Sequence, residues 1–570
     1  MFHYKPLVVF ALLASGCAPL AAQFGGRPIV GQISNAASYA LPGFPNSGIA
    51  QGSIFLVFGA DLGGPTLVQA TRFPLGKELA GTSIRVTVQG ISMDALMLYT
   101  SLSQVAAVLP SAAPVGQGTL VLTYQDKASD PQPIEIVGSS FGIFTRNQAG
   151  TGPGIIQNVN SELDRPINSL MDVARPTQTM IIWGTGLGPV SGDEGAEPLP
   201  GNMNVSVDVL VGGKPAKVGY KGRSGCCAGL DQIVFEVPPG IEGCYVPVAV
   251  RVGDRLSNFV TTSIAAKGST CPDLGSFPTA ALDKLRQGGS LRLADVLLGR
   301  LNLKVKTPGL TEEATFDFGL AAFTSYQASD LEASLNAGAF SATAAPLAPG
   351  TCAVTQQKFF NLPFPIDLDP IQSKYLKAGA AVNVTGPLGA KPLRPLNDRY
   401  IGSLGGLCLL CEESTVEPEY LVPGDYTVDN GAGGDGVGPF QASLTVPGPL
   451  EWTNRDGLTD VPRNHDLTLT WTSSSSSPEL VTVFGISVPD SSSEPWAALL
   501  CAAPASARQL TIPRWVLSAM PPSATDNGIP LGFLGLMNST PPSGSAMKVS
   551  GTDVGRIQYG ILQLNAVAFR

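Results

Sequence analysis

One stretch of the sequence matches a catalytic serine motif. Residues 138–142, Gly-Ser-Ser-Phe-Gly, fit G-x-S-x-G, which in esterases places a serine nucleophile on a sharp turn between a strand and a helix. Residues 143–146 that follow do not begin a helix. A serine nucleophile also needs a base, and the two histidines of the chain are His3, near the N-terminus, and His465, in a different region. We therefore predict a structural turn here and no catalytic residue.

Two glycine-rich runs have the composition of phosphate-binding loops. Residues 150–154 and 184–188 each read G-x-G-x-G, which is not the G-x-G-x-x-G pattern of dinucleotide-binding proteins. Pro153 and Pro189 disfavour a following helix whose N-terminus would hold a phosphate. These runs predict tight turns and no cofactor-binding residues, so no cofactor is expected.

The carboxylates leave one enzymatic alternative open. Glu312-Glu313 and Glu412-Glu413 are adjacent pairs, and neighbours along a strand point to opposite faces. Glycoside hydrolysis needs two carboxylates facing each other across a cleft, about 5–10 Å apart. Partners distant in sequence would satisfy that geometry, so an extracellular carbohydrate-active enzyme with its site in the C-terminal half is the alternative function. Residues 425–435 carry acidic side chains among glycines, but their spacing fits no EF-hand, and they predict a hairpin tip without a metal.

Charge and composition exclude a nucleic-acid partner. The formal net charge is −9, and no block of lysine or arginine appears that would displace counterions from phosphates. Charged residues make up 14% of the chain and hydrophobic residues 44%, with 66 glycines and 48 prolines. This balance predicts cores built from many short strands that tight turns connect.

The N-terminal residues predict export. Lys5 precedes a short apolar segment, Leu7 to Ala14, which is typical of a signal peptide over residues 1–22 and too short to span a bilayer. Two cleavage sites compete. Ala14-Ser15-Gly16-Cys17 resembles a bacterial lipobox that would leave Cys17 lipidated, and Leu20-Ala21-Ala22 resembles an ordinary peptidase site. Either site gives a protein that is secreted or held at the outer cell envelope, with no transmembrane segment.

An even number of cysteines follows the signal peptide and predicts disulfides in an oxidising compartment. The candidates are Cys226, Cys227, Cys244, Cys271, Cys352, Cys408, Cys411 and Cys501. Residues 231–237 and 245–251 predict a hairpin, so a bond from Cys244 to Cys226 or Cys227 would need a folded-back loop.

The spacing of Cys408 and Cys411 is that of redox motifs. It lacks a βαβ context, which favours a local loop disulfide, and zinc is not expected without further ligands nearby.

The first half of the chain contains an internal repeat. An apolar strand that ends in a glycine-rich turn occurs at residues 52–63 and again at 178–188. A mostly apolar strand that begins with glutamine and ends in proline occurs at 104–110 and again at 232–238. Between these markers each copy has a strand with period-two alternation, and other short strands complete it. This pattern is typical of a small β-sandwich.

These repeats resemble a known group of proteins. The matching stretches are Asn35-Ala36-Ala37-Ser38-Tyr39, Phe58-Gly59, Gln104 to Pro110, Gly142-Ile143-Phe144-Thr145, Trp183 to Gly188, Gly229 to Ile233 and Gly243-Cys244. They look like exported, mostly uncharacterised bacterial proteins, abundant in acidobacteria, whose paired modules resemble IPT/TIG immunoglobulin-like domains. The resemblance covers residues 28–266 and implies an Ig-like fold and an extracellular setting. It implies no catalytic residues.

The sequence therefore predicts an all-β chain of tandem Ig-like β-sandwiches followed by a β-rich C-terminal region. The expected units are Ig-like domains at 28–145 and 146–268, a β-rich domain at 269–447 and a second at 448–570. We predict a non-enzymatic cell-envelope or extracellular protein that serves binding, adhesion or spacing, with a cell-surface glycan or an envelope protein as partner. A purely structural stalk of domains in a row is a further alternative.

Overall fold

The computed structural model describes residues 26–198, 200–271, 279–307, 310–327, 347–357, 374–408, 416–472, 479–489, 496–526, 528–540 and 546–570. Nearly all regular structure in these residues is β-strand, as the sequence predicts. The predicted signal peptide, Cys17 and Cys411 lie outside the described residues. Among those described, no helix has the length and apolar composition needed to cross a membrane.

The first Ig-like domain is a sandwich of two sheets. Its strands are β1 (Ile29–Asn35), β2 (Ile49–Ala50), β3 (Ile54–Ala60), β4 (Val68–Gln69), β5 (Glu78–Leu79), β6 (Thr82–Val88), β7 (Ile91–Asp94), β8 (Leu96–Thr100), β9 (Gln104–Val108), β10 (Gly116–Tyr124), β11 (Lys127–Ala128) and β12 (Gln132–Val137). One sheet has the order β1-β3-β9-β8-β4, and the other has β2-β12-β10-β6-β5. Burial alternates along β6, because Ile84, Val86 and Val88 point into the core between the sheets.

The second Ig-like domain repeats this plan. Its strands are β13 (Gly142–Ile143), β14 (Ile156–Asn158), β15 (Thr179–Thr185), β16 (Gly201–Asn202), β17 (Val207–Val211), β18 (Lys214–Arg223), β19 (Asp231–Glu236), β20 (Gly243–Val252), β21 (Arg255–Leu256) and β22 (Val260–Ile264). Strand β18 passes between the two layers: residues 214–216 pair with β17, and residues 217–223 pair with β19, with an irregularity between Val218 and Tyr220.

The predicted repeat is confirmed at the level of strand pairs. Strand β3 pairs with β9 so that Phe58 lies opposite Gln104, and β15 pairs with β19 so that Trp183 lies opposite Gln232. The predicted hairpin between residues 231–237 and 245–251 is wrong. Strand β19 already has β15 and β18 on its two sides, so the chain crosses to the other layer and β20 pairs with β17 and β22 instead.

The C-terminal half, which we call the C-terminal unit, has a single large sheet. Its elements are α1 (Thr279–Arg286), β23 (Ser290–Thr307), β24 (Leu310–Gln327), β25 (Cys352–Gln357), β26 (Lys374–Tyr375), β27 (Val382–Gly386), β28 (Gly389–Leu396), β29 (Arg399–Leu407), β30 (Val416–Glu417), β31 (Gly424–Asp429), β32 (Gln441–Val446), β33 (Glu451–Trp452), β34 (Asp460–Val461), β35 (Leu467–Thr472), β36 (Leu480–Ser487), β37 (Trp496–Pro504), β38 (Gln509–Ile512), α2 (Arg514–Leu517), β39 (Thr525–Asp526), β40 (Ile529–Pro530), β41 (Gly532–Ser539), β42 (Val554–Ala566) and β43 (Ala568–Phe569). Short 3-10 helices occur at Arg455–Gly457 and Ala505–Ala507.

The large sheet runs across the predicted division at 447/448. Its order is β25-β37-β36-β41-β42-β23-β24-β29-β28-β27-β31-β32, and β23 and β42 pair in parallel over twelve residue pairs. Two hydrophobic clusters pack against it, one mainly from residues before 447 and one mainly from residues after it. The two segments therefore keep separate cores but share a sheet, because the long strands β23 and β42 join them.

Candidate functional site

The motifs that carry the family resemblance meet between the two Ig-like domains. The Asn35 amide donates to the backbone oxygens of Ser140 and Thr185, at 3.1 and 3.3 Å. The backbone N–H of Ile54 donates to the Thr185 hydroxyl at 2.9 Å, and that hydroxyl donates to the Gly229 oxygen at 2.7 Å. We call this region the polar junction. Its bonds hold one domain in a fixed orientation on the other.

A buried ion pair lies at the centre of the polar junction. Arg223 donates to Asp231, whose side chain is fully buried, and also to the backbone oxygens of Gly52 and Gly188 at 2.9 Å each. Asp231 accepts from the backbone N–H groups of Gly186 and Leu187, at 2.8 and 2.9 Å. Burial raises the pKa of the Asp231 carboxyl, and its bonds to Arg223 and the two backbone groups oppose that rise.

Glycine is required where the backbones cross in this junction. Gly186 has φ +108°, and a Cβ there would overlap the backbone oxygen of Ser140. At residues 184–188 the backbones of the two domains thus come close together, which is compatible with the predicted turn. Glycine is needed there because a side chain would not fit between them.

The C-terminal unit meets both Ig-like domains through apolar side chains. Leu41 and Phe44 of the first domain and Leu256 and Phe259 of the second belong to the same buried cluster as the core of the C-terminal unit. Phe259 stacks on Trp515, with ring centroids 6.0 Å apart and an angle of 15°. We call this contact the apolar junction.

The outer face of the second domain is part of this junction. In β20, Val248 and Val250 point into the core of the domain, whereas Ala249 points into the cluster of the C-terminal unit. The alternation of this strand thus separates two buried surfaces rather than a buried face from a solvent face.

A cavity of about 510 Å³ lies where the three units meet. The first domain contributes Tyr39 and Phe58, the second contributes residues 254–259, and the C-terminal unit contributes Gln356 and Ala519. Because Asp254 in the lining is solvent-exposed, the cavity reaches the protein surface there. A volume of this size and a position between domains are both typical of small-molecule sites.

Amide side chains supply the polar groups of the cavity wall. The Gln356 amide nitrogen donates to the Asn46 side-chain oxygen at 2.6 Å, which joins the C-terminal unit to the first domain. The Gln356 side-chain oxygen is buried and has no hydrogen-bond partner.

The cavity wall has two charged side chains, Asp254 and Arg255, among the described lining residues. Arg255 donates to the backbone oxygen of Ser47 at 2.8 Å and lies 3.6 Å from Glu135. Among the described lining residues, Asp254 is the only carboxylate. The wall is therefore close to neutral, with one acidic and one basic side chain.

Two aromatic rings form an apolar part of the wall. The rings of Tyr39 and Phe58 have centroids 6.3 Å apart and are tilted by 37°. Tyr39 has φ +52°, an unusual backbone conformation for a tyrosine that the surrounding bonds must hold. Burial raises the pKa of Tyr39, and it raises that of neighbouring Tyr99 to about 12, so both phenols stay protonated at neutral pH.

The G-x-S-x-G serine is bonded at the edge of the polar junction. The buried Ser140 hydroxyl donates to the backbone oxygen of Asn46 at 2.9 Å, and its N–H donates to Gly186. His465 is in the C-terminal unit, where its ring Nδ1 forms a hydrogen bond of 2.5 Å with the Oδ1 of Asn464. The structure does not bring this serine and this histidine together.

Three of the remaining carboxylate candidates have partners within the described residues. Glu313 lies 3.6 Å from Arg455, and Glu412 and Glu413 are outside the described residues. Asp425 accepts from the Thr445 hydroxyl at 2.6 Å, and Asp429 accepts from the N–H of Gly431 at 2.9 Å. Within the described residues, no group of three histidine, cysteine or acidic side chains is arranged to hold a metal ion.

Disulfides join most of the predicted cysteines. The pairs are Cys226–Cys227, Cys244–Cys271 and Cys352–Cys501. Cys408 is also disulfide-bonded. Cys352 and Cys501 lie opposite each other on the neighbouring strands β25 and β37, a pairing that long-range topology sets.

Sequence reasoning did not identify Arg223 or Gln356. Asp231 begins a strand whose inward positions Ile233 and Phe235 are apolar, and this pattern was a signal that a cationic partner should lie nearby. No comparable signal marks Gln356, because its contact with Asn46 joins residues 310 positions apart.

No protein-family model matches the sequence, and no curated protein matches it. Solved structures show distant similarity. A γ-CGTase from Alkalophilic bacillus clarkii is 10% identical, over 48% of this chain and 34% of that chain, with a TM-score of 0.14. Domains 4–9 of the surface layer protein SbsC are 11% identical, over 93% and 82%, with a TM-score of 0.14.

The I9–I11 tandem from titin is 6% identical, over 70% of this chain and 93% of that chain, with a TM-score of 0.12. This chain spans about a third of the length of the γ-CGTase chain. At these identities and TM-scores the similarities carry no argument about function.

Proposed function

We propose that this chain is an exported, non-enzymatic protein of the cell envelope or extracellular space that binds a glycan in the cavity between its three units. The observation that carries the proposal is the cavity itself, about 510 Å³ in volume and walled by aromatic and amide side chains from all three units. A ligand there would contact each unit and be fixed by rigid scaffolds.

The chemistry of the wall favours a neutral, hydroxyl-rich ligand. Amide side chains such as Gln356 and Asn46 both donate and accept hydrogen bonds, as sugar hydroxyls do. The rings of Tyr39 and Phe58 offer apolar surface to the C–H face of a sugar ring. A strongly charged ligand would need an opposite charge in the wall, where Arg255 is already engaged with Ser47 and Glu135.

The same wall argues for binding rather than hydrolysis. Glycoside hydrolysis needs two facing carboxylates, and the described wall contributes Asp254 alone. The stalk alternative expects domains end to end, whereas here the three units share one buried cluster.

Export is supported by the cysteine chemistry. Buried disulfides such as Cys244–Cys271 and Cys352–Cys501 persist in oxidising compartments. Fractionation of cells that express the full chain tests the localisation. Loss of membrane association in Cys17→Ser, with secretion retained, would support lipidation at Cys17, and an unchanged distribution would favour the ordinary cleavage site.

The binding proposal is tested by filling the cavity. Ala519 lines the cavity, and Ala507 is an exposed alanine of the same unit, so Ala519→Phe and Ala507→Phe form a matched pair. On a glycan array followed by calorimetry, we expect wild type and Ala507→Phe to bind a neutral glycan and Ala519→Phe to lose at least about tenfold in affinity.

Equal binding by both variants would overturn the cavity as the site, and no binding by wild type would overturn the glycan proposal. Release of new reducing ends during incubation with a bound glycan would overturn the non-enzymatic assignment.

A further inference from the structure

The three disulfides whose two cysteines both lie in the described residues fall into two kinds. Cys244–Cys271 and Cys352–Cys501 join residues 27 and 149 positions apart, and all four cysteines are buried. Cys226–Cys227 joins neighbours in the chain, and both residues are exposed. A crosslink restricts the unfolded chain through the loop that it closes, and a bond between neighbours closes only the small ring of the two residues themselves. The exposed pair therefore has no comparable role in global stability.

The exposed disulfide sits in a short loop between the two residues of the buried ion pair. The loop runs from Ser224 to Leu230, directly after Arg223 and directly before Asp231. The Ser224 N–H donates to the Leu230 oxygen at 2.9 Å, which closes the loop at its base. The Ser224 hydroxyl contacts the Cys226 sulfur at 3.1 Å and also accepts from the Cys226 N–H at 3.1 Å. The disulfide is thus part of the internal bonding of the loop.

The far side of this loop packs on the first Ig-like domain. Ala228 is buried in a small cluster with Leu75, Leu96 and Val108 of that domain. At the next position, a Cβ on Gly229 would lie 2.8 Å from the Ile54 side chain. The Gly229 oxygen accepts from Thr185, which in turn accepts from the Ile54 N–H. A change in the shape of the loop would act directly on the polar junction.

We propose that Cys226–Cys227 is a thiol–disulfide exchange site whose reduction by an external dithiol releases the loop from the first Ig-like domain and loosens the polar junction. The attacking thiolate forms a mixed disulfide with one protein sulfur and displaces the other as a thiolate. The second thiol of the reductant then resolves the mixed disulfide. Cys226 and Cys227 gain two electrons and two protons, and the dithiol becomes a disulfide. This inference does not depend on the glycan proposal.

Graded reduction of the whole chain with dithiothreitol, followed by alkylation and mass spectrometry, tests the exchange site. We expect Cys226 and Cys227 to be labelled at a dithiol concentration at least about tenfold below that needed for the buried pairs. Labelling of Cys244 or Cys352 at the same concentration would overturn the assignment of the exposed pair as the exchange site.

Amide hydrogen exchange on the selectively reduced protein tests the effect on the junction. We expect the Ile54 amide to exchange at least about tenfold faster, while amides in β10, within the first domain, keep their rates. Cys226→Ser/Cys227→Ser should exchange as the reduced protein does. Ala228→Glu, with the disulfide intact, should do the same if packing of the loop protects Ile54.

Unchanged Ile54 exchange in both the reduced protein and the double-serine variant would overturn the coupling to the junction. Faster Ile54 exchange in Ala228→Glu alone would show that packing of the loop protects this amide. It would overturn the proposal that reduction of Cys226–Cys227 releases the loop.

Discussion

The polar junction and the apolar junction join the units of this molecule through different kinds of interaction. The polar junction joins the Ig-like domains through directed hydrogen bonds and the pair of Arg223 and Asp231, whose side chains are 9% and 0% exposed. The apolar junction joins the C-terminal unit to both domains through packed side chains such as Phe259 and Trp515. The first is crowded enough to require glycines, whereas the second borders a cavity of about 510 Å³.

This difference fits the position of the cavity. A hydrogen bond weakens steeply when its angle changes, so the polar junction fixes the orientation of the two domains. Apolar contact is not directional and tolerates surfaces of unlike shape. The unfilled space therefore occurs beside the apolar junction, where Gln356 and Asn46 bridge the units with one hydrogen bond of 2.6 Å.

The largest effect should come from breaking the ion pair of the polar junction. Asp231→Asn leaves Arg223 buried without its charged partner, and we expect the free energy of unfolding to fall by about 3–5 kcal/mol. Chemical denaturation measures this loss. The control is Asp208→Asn, because Asp208 and Arg251 form an ion pair with side chains 46% and 44% exposed. The free energy of unfolding of that control should fall by less than about 1 kcal/mol. Equal losses in the two variants would mean that the buried pair contributes no more to stability than an exposed one.

A smaller effect is expected where the backbones cross. Gly186→Ala should lower the free energy of unfolding by about 2–3 kcal/mol, because it combines a left-handed backbone with an overlap on the Ser140 oxygen. Gly192 has φ +123° and no atom within 4 Å of its Cβ position. Gly192→Ala thus isolates the conformational cost and should lose about 1 kcal/mol. Thermal or chemical denaturation compares the two, and a difference near zero would contradict the close approach at Gly186.

The apolar junction should respond less to a single change. Trp515→Ala removes the ring that stacks on Phe259, and we expect a loss of about 1.5–2 kcal/mol from the half-buried side chain. Leu163→Ala is the control, since Leu163 is fully exposed and should change stability by less than about 0.5 kcal/mol. A loss at Trp515 as large as that for Asp231→Asn would reverse the ranking of the two junctions.

The smallest stability effect is expected at the cavity wall. Gln356→Ala removes one hydrogen bond to Asn46 and one unpaired acceptor. The free energy of unfolding should therefore change by less than about 1 kcal/mol. Its effect on ligand affinity should be larger, about a tenfold loss measured by calorimetry with the glycan that wild type binds. A variant that loses stability but keeps affinity would assign Gln356 to packing rather than to recognition.

Much of the strand content was predictable because it depends on local patterns. The alternation of Ile84, Val86 and Val88 lies on β6. The hairpin between residues 231–237 and 245–251 was predicted wrongly because both segments have strand patterns and a turn between them. Sequence alone does not indicate that the neighbours of β19 are already β15 and β18.

The candidate site was predictable only in part. Asn35, Thr185 and Asp231 belong to the motif stretches, and the structure places all three in the polar junction, where Asn35 donates to the backbone oxygen of Thr185 and Asp231 accepts from the N–H of Gly186. Tyr39 belonged to the same motif, but its place in a cavity wall depends on the C-terminal unit, whose position no local pattern indicates.

The β class, the repeat and an oxidised cysteine set were predictable from the sequence, because alternation, glycine placement and cysteine count are properties of short segments. Which cysteines pair, which faces of β20 are buried and where a cavity lies between the three units depend instead on tertiary packing. These features depend on contacts between residues far apart in the chain, such as Cys352 with Cys501 and Asn46 with Gln356. The packing of whole sheets, rather than any local preference, sets those contacts.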